Sequence, residues 1–433
     1  MARKLSLLVT AGLALAGPVT SAQTAPASET PPAPTPDADA PLAEREELTG
    51  NWGGLRDDLA AAGLTVAAEN VLEASTVFAG GVDEDASLRN LFTLGLELDT
   101  APGLGVEGGT FFVQYLSVTA ERGGSGDAGD LQGFSNLEND RSLDVIYELW
   151  YEQKLFDERL RIKVGKIDAN SEFAAVAPIQ AFSAAGELTH SSAGFVPTIL
   201  GFPSYPDPAT SVNVFVTPVR GDAGELTFGY GFYDGAAGVD GVPTGSRGPS
   251  TFFSNDRSDD YFHIAELQWS WPTLAGLPDG GLSVGGWYHG GAFPTFSGGT
   301  DTGTAGAYAT IQQRLTAPAD PDAEDGLYVF AQLGVADEDV TEVARLYAAG
   351  LVQVGLGTAR PADLLGLYAS LAELSDTPGT TFDGDELAIE AFYRAQLTPA
   401  VYLQPGLQLI VNPGGDAILD DALVGQLRLG VTF

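Results

Sequence analysis

Five basic residues stand between positions 154 and 166: Lys154, Arg159, Arg161, Lys163 and Lys166. Just upstream come Glu148, Trp150 and Glu152. Strand side chains alternate between two faces. In L-R-I-K-V, Leu160, Ile162 and Val164 therefore take one face, and Arg159, Arg161 and Lys163 the other. In D-V-I-Y-E-L-W-Y-E-Q, Val145, Tyr147, Leu149 and Tyr151 share one side, leaving Glu148, Trp150 and Glu152 on the opposite one. Asp168, closing the second segment, completes the candidate set. Facing rows of cations and carboxylates can bond hydroxyl-rich molecules in planar, bidentate fashion, and an indole can pack on the apolar side of a pyranose. The plain alternative is cross-strand ion pairing that only stiffens a wall. Ile146 shares the parity of Trp150 and leaves the facing of the indole open.

The elements that would hold these rows read as strands throughout. Alternating segments fall at 64–78, 90–99, 109–118, 145–154, 159–168, 211–217, 225–233, 261–270, 281–289, 303–313, 326–335, 345–357, 363–374, 387–397, 401–411 and 422–433. About sixteen segments is an even number, as bacterial outer-membrane barrels require. In 326–335, Leu327, Val329, Ala331, Leu333 and Val335 would face lipid, with Tyr328, Gln332 and Gly334 inside. In 387–397, Glu390, Arg394 and Gln396 would point inward. The last twelve residues alternate up to a terminal Phe433, and a tilted strand needs about 9–11 residues to cross a bilayer. If the first strand leaves the periplasm, the long connections 119–144, 169–210, 234–260 and 375–386 are external. Short turns such as 156–158 and 398–400 are then periplasmic, as in bacterial barrels. The expected fold is all-β: a transmembrane antiparallel up-and-down barrel of about sixteen strands, with a short N-terminal periplasmic segment. The 169–210 connection, Pro-rich at its end, is long enough to fold into the lumen and set its bore.

Residues 1–22 carry Arg3 and Lys4, an apolar run and small residues at Thr20-Ser21-Ala22, the pattern of a signal peptide cut after Ala22. Residues 23–47, rich in Ala, Pro and acids, should form a flexible spacer. A periplasmic segment then covers 48–63 and the barrel 64–433. Without the leader the formal charge moves from −38 to −40 and 18 basic residues remain, which excludes nucleic acid as a partner. The chain has no Cys and three His residues, His190, His263 and His289, none in a nucleophile or metal-ligand spacing. Neither an enzyme nor a metal or cofactor site is therefore expected.

Several stretches resemble the carbohydrate-selective porins of the OprB family. They are L-T-G-N-W-G-G-L-R (48–56), L-W-Y-E-Q-K-L-F (149–156), K-V-G-K-I-D-A-N-S-E-F (163–173), F-P-S-Y-P-D-P-A (202–209), A-F-Y-R-A-Q-L-T-P (391–399) and L-Q-P-G-L-Q-L-I-V-N-P-G-G (403–415). The resemblance spans 48–433. It implies a sixteen-stranded outer-membrane pore for passive diffusion of glucose and other sugars, with basic and acidic residues at its constriction. Expected partners are mono- or oligosaccharides, outer-membrane lipid and lipopolysaccharide, with the copy number open between homotrimer and monomer. The acidic spacer and the strong negative charge depart from the family pattern. They keep a general cation-selective porin in view as the alternative.

Overall fold

The computed structural model describes residues 41–433 apart from 120–123, 140, 178, 179, 181, 195, 236–259 and 317–323. The expected leader and residues 23–40 of the expected spacer lie outside the described residues.

Sixteen strands close into one antiparallel barrel. They are β1 Leu64–Gly81, β2 Ala86–Asp99, β3 Gly109–Thr119, β4 Leu143–Leu155, β5 Leu160–Ile167, β6 Ala209–Gly221, β7 Gly224–Asp234 and β8 Tyr261–Trp271, followed by β9 Gly280–Pro294, β10 Thr300–Arg314, β11 Gly326–Ala336, β12 Val343–Val354, β13 Leu364–Leu374, β14 Glu386–Thr398, β15 Val401–Val411 and β16 Asp420–Thr432. Each pairs with its sequence neighbour, and β16 returns to β1 through a register that sets Asn70 opposite Val431. Closure leaves no free edge, the condition for a sheet to live in lipid.

The polarity is inverted relative to a water-soluble protein. Leu333, Leu367, Ile389 and Leu427 are exposed on the outer face, while Glu73, Glu390, Arg394 and Arg428 are buried inside. Only a hydrocarbon solvent makes that distribution favourable. The expected facing of β11 and of Glu390 and Arg394 on β14 is what the structure has.

Most strand ends fall a few residues from expectation, and three of them have a visible local setting. β12 stops at Val354, because Gly355 and Gly357 take φ of 75° and 76° and turn the chain. β6 continues through Pro218, where a register shift between Val216 and Val219 accommodates a residue with no N–H to donate. β9 runs on to Pro294, and the register of its pairing with β10 shifts between Thr302 and Thr304.

Before β1, the Asn51 side chain accepts from Asp57 N at 3.1 Å and donates to the Asp57 carboxylate at 2.6 Å. This fixes the start of a short helix, α1 (Leu55–Ala61). Arg56 on α1 donates to the Phe433 carbonyl at 2.9 Å, and Glu47, at the end of the expected spacer, pairs with it at 3.1 Å.

Candidate functional site: a charged constriction

Two of the long connections fold back into the barrel and bond its inner wall. Residues 168–208 hang their backbone on polar side chains of the wall. Glu266 accepts from Ala174 N, Gln312 from Ala184 N, and Glu390 from both Thr189 N and His190 N. Gln332 and Gln404 donate to the carbonyls of Ala193 and Glu187. Phe173 stacks on Phe215 at 5.2 Å, and glycines at 229 and 231 leave the room those rings occupy. Residues 124–139 enter alongside. Glu386 accepts from Leu131 N and Gln132 N, Glu73 from Ser135 Oγ, and Arg428 donates to the Asn136 side chain at 2.5 Å. The two segments also bond each other, Asn136 N to Thr189 O and Ser191 N to Gly133 O. Buried backbone donors must find acceptors, and here the lumenal side chains supply them.

What this packing leaves lined by charge is a cluster on β4, β5 and the start of the inserted loop. Arg161 donates to Glu152 at 2.8 Å and to both oxygens of Glu172 at 3.1 and 2.7 Å. Lys163 bonds Glu172 closely and lies 3.8 Å from Glu152. Each cation also rests on an aromatic face: Arg161 over Phe215 at 3.8 Å, Lys163 over Trp150 at 3.9 Å. Trp150 in turn stacks on Phe112 at 4.9 Å, and its Nε1 has no partner among the described residues. Arg161 keeps 25% of its side chain exposed, against 9% or less for Lys163, Glu152 and Glu172. It is therefore the cation of the cluster most open to a passing solute. Glu172 sits on the loop; burial alone would push its carboxyl up, but Arg161 and Lys163 outweigh burial and hold it down at about 2.

The expected site residues divide into two groups. Arg161, Lys163, Glu152 and Trp150 come together inside the barrel as the alternation implies. Glu148 is a correction: it does not face Arg161 across open space but is 2% exposed and accepts the backbone N–H of Asp168 at 2.9 Å. Asp168, 1% exposed, accepts from Tyr147 Oη and from Asn170 N, and it too is a wall-to-loop joint rather than an open lining group. Burial pushes the Asp168 carboxyl up from its ordinary range. Arg159 is a further correction. It sits exposed in the turn before β5, where it donates to the Pro218 carbonyl, because the strand begins one residue later, at Leu160.

The parity of β4 also needs correcting. Gln114 pairs with Glu148 but Tyr115 pairs with Ile146, so Tyr147 is the extra residue of a bulge. Below the bulge the expected alternation holds; above it the faces exchange. Ile146 is 47% exposed to the outside, whereas Tyr147 and Val145 turn inward against Leu116 and Leu137. This resolves the conflict between Ile146 and Trp150, which share a parity yet take opposite faces.

Sequence reasoning missed Glu172 as the counter-charge, although it stands in the stretch 163–173. A second buried set was missed too: Arg428 with Glu73 at 2.5 Å, Arg89 with Glu73 at 3.2 Å, and Arg394 with Glu187. Inward parity marked Arg394, but its partner Glu187 stands on an inserted loop, and the partner of Arg428 comes from β1.

The sequence profile of the carbohydrate-selective porin, OprB family, matches residues 83–433. The chain belongs to this family. It is 26% identical to QuiX of Acinetobacter baylyi over 90% of this chain and 94% of that one. It is 23% identical to Porin B of Pseudomonas aeruginosa over 89% and 91%. The high-pH structure of Pseudomonas putida OprB shares the fold with a TM-score of 0.76 at 22% identity, covering 90% of this chain and 99% of that one. Family and barrel together make the chain a sugar-selective porin of the bacterial outer membrane, and both point to a channel.

Proposed function

We propose that Arg161, Glu152, Glu172 and the adjoining aromatic rings form the selectivity site for neutral sugars such as glucose on their way to the periplasm. The observation that supports this most is the pairing of charge within the site. Arg161 and Lys163 are matched by Glu152 and Glu172 at contact distance, so the constriction offers many donors and acceptors with little net charge for an ion to follow. A sugar hydroxyl can exchange for one arm of the Arg161 fork while the guanidinium stays paired through the other. Phe215 and Trp150 steady the two cations, each ring lying against a cation and stacked on Phe173 or Phe112 in turn.

The test is single-channel recording with and without glucose or maltose. The expected outcome is block of the ion current at millimolar sugar, weakened in Arg161→Ala while the barrel stays folded. Absence of block in the wild-type protein, with strong cation preference, would favour a general cation-selective pore instead.

A further inference from the structure

We propose that Tyr147 and Glu148 are positioning residues that set where Glu172 stands in the pore, by gripping Asp168 at the root of the inserted loop. This rests on the reading of the Arg161 cluster as the constriction.

A regular strand turns only one of two consecutive side chains inward. The bulge in β4 turns two, Tyr147 and Glu148, and both are spent on the same loop residue. Tyr147 Oη donates to the Asp168 carboxylate, while Glu148 accepts from Asp168 N at 2.9 Å. The remaining Asp168 carboxylate oxygen accepts from Asn170 N at 2.8 Å, and its carbonyl accepts from Ser171 Oγ at 2.7 Å. Asp168 is thereby held at side chain and backbone at once, and it caps the single helical turn Ala169–Ser171. That turn ends at Glu172, whose carboxylate takes up Arg161 and Lys163. Between the grip and the counter-charge there is only this one turn, closed by Phe173 N bonding to Ala169 O at 2.8 Å. A shift of Asp168 must therefore move Glu172.

Neither Tyr147 nor Glu148 hydrogen-bonds Arg161 or Lys163; their bonds go to Asp168, and because the Glu148 carboxylate also stands within electrostatic reach of Lys163, Tyr147 is the residue that isolates the grip. Their influence on permeation is indirect and has a defined sign. If the grip loosens and Glu172 withdraws, Arg161 and Lys163 lose half their counter-charge and the constriction becomes more positive. Anions should then gain over cations whether or not sugar is present. The separation from a merely structural role lies here, because a weakened wall lowers thermal resistance without altering ion preference.

The experiment measures the cation-to-anion permeability ratio of reconstituted pores in a potassium chloride gradient without sugar, then glucose block on the same channels. Tyr147→Phe removes one hydroxyl and keeps the ring. It should move the ratio toward anions by about two- to fivefold, as expected for partial loss of one charge-assisted bond's effect. Glu148→Ala should move it the same way, and Glu148→Gln, whose amide oxygen can still accept from Asp168 N, should return most of the shift. Should Glu148→Ala fail to assemble, Tyr147→Phe decides alone. A Tyr147→Phe pore that is folded, as judged by heat-modifiable migration, and keeps the wild-type ratio overturns the proposal. Loss of sugar block without a change in ratio overturns it as well. A shifted ratio in pores that glucose never blocked would sustain the grip and count against the sugar reading alone.

Discussion

Glu172 accepts both arms of the Arg161 guanidinium, at 3.1 and 2.7 Å, although one residue stands on the barrel wall and the other on a loop that enters from outside. The pair couples two properties usually treated apart. The bond that holds the loop at this height is also the bond that balances charge in the pore. A change in one must appear in the other.

Glu172→Gln tests that coupling. The amide preserves shape and one acceptor but removes the negative charge that matches Arg161 and Lys163. Anion permeability should rise relative to cation permeability, and the loop should hold less firmly. Breaking a buried pair from one side costs about 3–5 kcal/mol where solvent is excluded, and less here because Arg161 is partly wet. Reversal potentials in a salt gradient give the first effect and thermal migration shifts the second. A variant indistinguishable from wild type in both would place the charge balance elsewhere.

Acid should loosen the loop in two stages. His190 is fully enclosed on the loop, and burial lowers its pKa from 6.5 to about 3. A depressed histidine favours the neutral folded state, so its contribution is present above 6.5 and is lost as pH falls toward 3. Glu172, ordinarily 4.5 and held at about 2, contributes above 4.5 and is lost between there and 2. Asp168, pushed up by burial, works in the opposite sense. The His190 stage is bounded by about 1.4 kcal/mol per pH unit. It should vanish from the pH dependence of the unfolding midpoint in His190→Asn between pH 6.5 and 5. The same slope in both proteins would show that the ring opens to water before the barrel does.

How much of this was legible beforehand depends on how local each cause is. Strand alternation is a property of neighbouring residues, so the sixteen strands, the inward turn of Arg161 and Lys163, and the facing of β11 could be read directly. The reversal at Tyr147 could not, because a bulge is defined by the partner strand: it exists where Tyr115 slips past Tyr147 to pair with Ile146. Glu172 was hidden for a similar reason. An acid in a long loop gives no sign of which wall it will meet until the barrel has closed. Glu148 and Asp168 were recognised as inward-facing candidates, but their use as backbone anchors depends on where the loop enters. Arg159 was misplaced by a single residue of strand boundary, the least determined feature of any such reading.

Gly165→Ala should disturb the site through the wall. Gly165 has a φ of +146°, and a Cβ there would lie 2.2 Å from Leu149 O and 2.6 Å from Trp150 Cα. Those are backbone atoms, so β4 and β5 would have to separate where Trp150 supports Lys163. We expect destabilisation of about 1–3 kcal/mol, together with weaker sugar block. Normal thermal migration with normal block would mean that the strands shift at no cost to the site.

The N-terminal segment should act on the barrel without acting on the pore. Its residues touch both strands of the β1–β16 seam. Leu48 N donates to Thr432 O at 2.9 Å, and Arg56 donates to Phe433 O at 2.9 Å and to Val66 O at 3.4 Å. The guanidinium is steadied by Glu47 and by the Trp52 ring 4.4 Å away. Arg56→Ala removes the side chain that bonds both Val66 near the start of the first strand and Phe433, the latter 377 residues from Arg56. Hydrogen bonds to a charged donor are worth about 1.5–3 kcal/mol when shielded, and partial solvent access reduces that toward 1. The temperature at which the folded band converts on a gel should fall, and Arg56→Lys, which keeps one donor, should recover part of the loss. Conductance, ion preference and sugar block should stay at wild-type values, since Arg56 bonds none of the constriction residues. A change in block with unchanged thermal resistance would mean that the segment reaches the pathway itself and would overturn its role as a support of the β1–β16 seam.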